Sequence, residues 1–110
     1  MLFRSGSVFA SNYLVSLVET AMQTYQAAGI PADLAKAMAE PLARQSLDNV
    51  FKLGSVAALT GPIARGDMAT VEKQVKVVQA WDAAAGNLYS AFTPLTVALA
   101  ARKKKLYSEK

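Results

Sequence analysis

Thr60, Arg65 and Asp67 share one short segment, Ala57 to Asp67, which reads AALTGPIARGD and also holds Gly61, Pro62 and Gly66. Two glycines and a proline between apolar helical patterns make a compact turn. Such a turn can leave backbone amides free to point outward. An arginine beside those amides suits an anionic group, a carboxylate or a phosphate. The same residues also read as a structured helix–helix connection. Arg65 is then a solvated charge and Asp67 an N-cap, because glycine and proline punctuate loops everywhere.

Little else in the chain could do chemistry unaided. There is no cysteine, hence no disulfide, thiol nucleophile or cysteine metal site. There is no histidine, which removes the usual general base near neutral pH and the commonest zinc ligand. No metal site is expected. The acidic residues are scattered, and Glu19, Asp33, Glu40 and Asp48 fall on helices without paired-carboxylate spacing. Neither the glycine-rich dinucleotide pattern nor the P-loop pattern occurs. A self-contained active site is not expected, and no catalytic residue is assigned. Chemistry here would have to come from a partner domain or a cofactor.

The net charge of +4 is local, because Arg102, Lys103, Lys104, Lys105 and Lys110 lie in the last nine residues and the remainder is near neutral. A basic helix end complements a helix C-terminal dipole or sits in solvent, and this argues against nucleic-acid binding. Ala83 to Ala101 is an uncharged run of nineteen residues followed by four basic ones, which resembles a stop-transfer pattern. Gly86, Asn87, Ser90, Thr93, Pro94 and Thr96 interrupt it, and most of the rest is alanine. A buried helix of a soluble bundle is the better reading. No signal peptide is evident, and the absence of cysteine fits a cytoplasmic protein.

A length of 110 residues indicates one domain, taken as residues 1–110 with a basic tail at 102–110. The pattern is all-α, a bundle of about four to six helices. A first helix is expected from Phe3 to Ala28, with Phe9, Tyr13, Leu17 and Met22 at helical spacing and Val8, Leu14, Val15, Val18 and Tyr25 widening the stripe. So wide a stripe implies contact on more than one side, in a bundle or at a subunit interface. Gly29 suits the position after a helix end, and Pro31 the first turn of the next segment. A second helical region runs from Ala32 to Leu53 and stops at Gly54. Pro41 should kink or restart it. Ser46 and Asn49 share a side, where they either brace the Thr60 loop or form plain helix surface.

Asp67 then caps a third helix from Met68 to Gln79, with Val71, Val75 and Val78 inward and Glu72, Lys73 and Lys76 outward. Trp81 reads as a core or interface anchor. A last helix runs from Ala83 to Lys105, with Leu88, Phe92, Leu95 and Leu99 along its apolar face. Pro94 should bend it.

Two stretches together carry a family resemblance. They are Val8-Phe9-Ala10-Ser11-Asn12-Tyr13-Leu14 and Ala58-Leu59-Thr60-Gly61-Pro62-Ile63-Ala64-Arg65-Gly66-Asp67. With Leu47-Asp48-Asn49 and Tyr89, they resemble the helical C-terminal domain of a group of predicted NADP-dependent oxidoreductases. That domain follows a Rossmann domain and bears a domain-of-unknown-function label. It is similar in fold to the C-terminal domains of 6-phosphogluconate dehydrogenase and pyrroline-5-carboxylate reductase. The resemblance covers Phe3 to about Ala101.

The resemblance implies a domain that forms a homodimer and closes over the nicotinamide end of a cofactor. Asn12 would offer its amide to substrate or nicotinamide. Thr60 and the amides around Gly61 and Pro62, with Arg65 nearby, would hold an anionic or carbonyl group. No cofactor is expected on this chain alone; NADP or NAD would bind with a Rossmann partner. These are fold-level implications. Relatives often carry a histidine where this chain has Arg4, and another near Gln74, so an imidazole role does not transfer. The Rossmann half lies outside this chain, which is then a fragment, a separate subunit or an orphaned domain; Met1 directly before matched sequence suggests truncation. Two other readings stand beside it. One is a stand-alone helical homodimerisation or interaction module. The other is a membrane-surface protein using Arg102 to Lys105.

Overall fold

The computed structural model describes residues 1–108. Among them the chain is all-α, the fold class expected, with no strand. It divides into two units, Met1–Gln45 and Ser46–Lys110.

The first unit opens with α1 (Leu2–Val8), which passes through a π-helical turn (Phe9–Tyr13) into α2 (Leu14–Ala27). The helical run therefore matches the expected span, but the π-turn interrupts its register. An extra residue in one turn rotates everything after it relative to what came before. The expected apolar stripe is split in consequence. Val8, Leu14, Val18, Met22 and Tyr25 are half-buried, whereas Phe9, Tyr13 and Leu17 stay exposed. The Phe9 and Tyr13 rings meet edge to face with centroids 5.5 Å apart.

The end of α2 is a Schellman motif. Gly29 takes the left-handed conformation, with φ 97°. Its amide donates to Gln26 and the Ile30 amide to Tyr25, which satisfies carbonyls the helix would leave orphaned.

Next comes α3 (Ala32–Leu53), which passes through Pro41 without a break, so the proline does not restart the helix. Ala35 and Ala39, one turn apart, are its buried residues. Exposed ion pairs run from Arg44 to Glu40 and from Lys52 to Asp48 at helical spacing. The helix stops at Gly54, whose φ of 86° no other residue adopts without strain.

The second unit contains the one-turn α4 (Ser55–Ala58), α5 (Met68–Trp81) and α6 (Ala83–Ser108). Residues 57 and 58, expected in the loop, are thus the end of α4. Helices α5 and α6 form a hairpin and α4 packs on α6. The hairpin turns on Asp82 alone, which is extended at φ −152° and caps α6 by accepting from the Ala85 amide at 2.9 Å. Val71, Ala85 and Gly86 are its buried residues, with Val75 and Val78 half-buried as expected.

The apolar face expected on α6 is corrected. Leu88 and Leu99 are half-buried, but Phe92 and Leu95 are exposed, Leu95 at 64%. The covered row is Ala85, Tyr89, Thr93, Thr96, Ala100 and Lys103. Small residues, Ala85 and Gly86, take the buried end of the helix because they let helix backbones approach closely, as the contact at Gly86 demands. Pro94 lies inside α6, between Thr93 and Thr96, whose hydroxyls donate to the carbonyls of Tyr89 and Phe92 at 2.8 Å. The helix continues to Ser108, so most of the basic 102–110 segment is helical; residues 109 and 110, and Lys110 with them, lie outside the described residues.

No helix among the described residues is long and apolar enough to cross a membrane. No large side chain among them is fully buried; the buried apolar residues are Ala35 and Ala39 in the first unit and Val71 and Ala85 in the second.

Candidate functional site

The loop between α4 and α5 is built as a single helical turn with stops at both ends. Leu59 leaves α4 in an extended conformation, and Gly61 turns the chain at φ 95°. Pro62 then starts the turn, where its missing amide costs nothing. Gly66, at φ 74°, ends it with a second Schellman motif. The Gly66 amide donates to Ile63 at 3.0 Å and the Asp67 amide to Pro62 at 2.8 Å. The Arg65 amide donates to Gly61 at 3.2 Å and the Met68 amide to Gly66 at 3.0 Å.

This corrects the expectation that the loop amides point outward unspent. Those of Arg65, Gly66, Asp67 and Met68 are consumed inside the loop. The amides of Gly61, Ile63 and Ala64 make no backbone hydrogen bond among the described residues. Thr60 and Arg65 have exposed side chains, while Gly61 and Pro62 are half-buried.

Asp67 is the N-cap of α5, as its position indicated. Its carboxylate accepts from the Thr70 amide at 3.2 Å and from the Thr70 hydroxyl at 2.6 Å. The Thr70 hydroxyl bond, then its amide bond, hold the carboxyl below the usual range; Arg65 adds a smaller electrostatic pull in the same direction.

The entrance to the loop is held by a residue read as part of a basic tail. The Lys103 ammonium donates to the carbonyls of Ala57 at 3.2 Å and Leu59 at 2.5 Å. These carbonyls belong to the open end of α4, so the charge meets a helix C-terminal dipole, though of a different helix from its own. No sequence signal could have paired positions this far apart. Ser46 and Asn49 of α3 both have interaction partners; Asn49 is half-buried and Ser46 exposed.

On the α5–α6 hairpin, the Tyr89 hydroxyl donates to the side-chain oxygen of Gln74 at 2.7 Å. Burial pushes the Tyr89 hydroxyl pKa up.

In the first unit, Asn12 sits within the π-turn and its side chain is exposed. It heads a row of hydroxyls at helical spacing. Ser16 donates to the Asn12 carbonyl at 3.5 Å, Thr20 to Ser16 at 2.8 Å and Thr24 to Thr20 at 2.7 Å. Such back-bonding pulls carbonyls outward and bends helices, so the row supports a local departure from α geometry. The Ser-Asn pair inside an apolar helix was the available signal for it.

The site residues thus fall into two sets. Thr60, Gly61, Pro62, Arg65 and Asp67 share one structured loop of the second unit, and Asn12 belongs to the first unit. Among the described residues no group of carboxylates could hold a metal ion.

The chain is all-α, and its second unit positions a short, doubly stopped loop. The chain belongs to the DUF2520 family: the model described as Domain of unknown function (DUF2520) matches residues 1–96. No curated protein and no solved structure matches it.

Proposed function

We propose that this chain is the C-terminal substrate-closing and dimerisation domain of a cytoplasmic NAD(P)-dependent oxidoreductase, completed by a Rossmann domain in cis or trans. Family membership and the resemblance of its two motif stretches support the reading. The observation that carries it is the π-turn at Asn12. Such turns are frequent at functional sites, because they force a side chain out of helical register at a cost in backbone hydrogen bonding. Asn12 offers a neutral amide to a substrate carbonyl or the nicotinamide. Thr60, the amides of Ile63 and Ala64, and Arg65 offer donors to an anionic or carbonyl group. The nicotinamide cofactor, when bound to the Rossmann domain, would supply the hydride chemistry. This chain would bind, orient and exclude water.

The test is nucleotide-dependent turnover by the chain joined to its Rossmann partner. Asn12→Ala and Thr60→Val should each lower kcat/KM about tenfold, as expected for one lost hydrogen bond to substrate. Thermal stability should barely change, since both side chains are exposed. Unaltered kinetics in both variants would remove their assigned roles. A stand-alone homodimerisation module is the second reading, favoured by the exposed Phe9, Tyr13 and Leu17. It predicts self-association with no nucleotide dependence.

A further inference from the structure

We infer that Lys103 is a positioning residue for the Thr60–Asp67 loop. The inference deepens the proposed function, because it matters to activity only if that loop binds substrate. Three observations within the second unit lead to it.

First, the ammonium is committed to two main-chain carbonyls, Ala57 and Leu59, that flank the exit from α4. A one-turn helix has no stability of its own and leaves its carbonyls open. A charged donor on two of them fixes where the chain leaves the helix. Second, Lys103 is half-buried, while Arg102, Lys104 and Lys105 beside it are exposed. Its position is therefore distinct from that of a solvated cluster, and it belongs to the covered row of α6. Third, the far end of the loop is already held by Gly66 and by the Asp67–Thr70 bonds. Lys103 holds the near end, so Thr60 stands one residue beyond a clamped carbonyl. The anchor also lies outside residues 1–96, the part matched by the family.

Amide hydrogen exchange of the full chain tests this without any substrate. Lys103→Met keeps the stem and removes the donor. It should speed exchange at Ala58, Leu59 and Arg65, whose amides bond to Gly54, Ser55 and Gly61 at the near end, about tenfold, the scale of a lost charged hydrogen bond, and leave Val75 and Val78 in α5 unchanged. Lys103→Arg, which retains a charged donor, should restore most of the protection. Lys104→Met, which removes a neighbouring exposed charge, should do nothing. Equal exchange in all variants would overturn the inference, and so would a loss spread uniformly through α5 and α6. Failure of this measurement leaves the oxidoreductase reading standing. Failure of turnover in the two-domain protein leaves the anchor standing.

Discussion

Gly86 of α6 lies against Gln79 of α5 so closely that a Cβ at position 86 would stand 2.8 Å from the Gln79 Cα and overlap its Cγ. The Gln79 side chain could swing aside, but its backbone could not without opening the hairpin. In an ordinary helix interior, glycine to alanine gains stability. Here the sign reverses. Gly86→Ala should cost about 1–3 kcal/mol, the range for forced overpacking. Thermal unfolding measures it; an unchanged or raised Tm would show that α5 and α6 do not meet this tightly.

Asp67 links the loop to α5, and its effect on stability depends on pH. Its folded pKa lies below the ordinary 3.8. A carboxyl depressed in the folded state contributes stability that is fully present above the unfolded value and is lost as pH falls through the folded one. The wild type should therefore lose this contribution only below about pH 4. Asp67→Ala should lower the Tm by a few degrees at neutral pH and by progressively less as the pH falls below about 4 and the wild type loses the same contribution. Thr70→Val should reproduce part of the loss, because its hydroxyl is the largest cause of the shift. A pH-independent difference between Asp67→Ala and wild type would remove the capping account.

The Tyr89–Gln74 bond gives the opposite pH dependence. Burial raises the Tyr89 pKa above the ordinary 10.0, so the folded state holds the proton more tightly than the unfolded chain. Its contribution is intact below the unfolded value and is lost as pH climbs through the folded one. Tyr89→Phe removes the hydroxyl while Gln74 can turn to water, so the cost at neutral pH should be about 1 kcal/mol or less. Ultraviolet titration should show a late-ionising component that is lost in Tyr89→Phe. An alkaline titration unchanged by Tyr89→Phe in its late part would contradict the burial.

The features legible in the sequence were the local ones. Gly29, Gly54 and Gly66 marked chain reversals because left-handed backbone suits glycine, and Asp67 before an apolar run marked a cap. Three features were hidden for definite reasons. The π-turn at Phe9–Tyr13 splits a stripe that looks continuous when counted at a constant helical period. The covered face of α6 is chosen by how near α5 can come at Gly86, which hydrophobicity does not report. Lys103 acts on carbonyls of Ala57 and Leu59, and carbonyls are present in every residue, so no residue type marks the acceptor. The loop itself was visible as a candidate, but its internal use of four amides depended on geometry.

The exposed edge of the first unit makes the dimer proposal testable at a single residue. Phe9 is 65% exposed, and its ring meets that of Tyr13 edge to face. Scattered exposed apolar residues are ordinary, but an aromatic pair with Leu17 nearby on a helix is the kind of anchor that interfaces bury. Light scattering on the purified chain should give the mass of a dimer. Phe9→Asp should weaken association at least about tenfold, since truncating an interface anchor commonly costs that much and a buried charge adds to it. Helix content by circular dichroism should stay unchanged, because the substituted side chain contributes little within one chain. A wild type that remains monomeric at every concentration would end the dimerisation claim and leave the Thr60–Asp67 loop to carry the functional reading. A dimer insensitive to Phe9→Asp would move the interface elsewhere, with the exposed Phe92 and Leu95 of α6 the next residues to substitute.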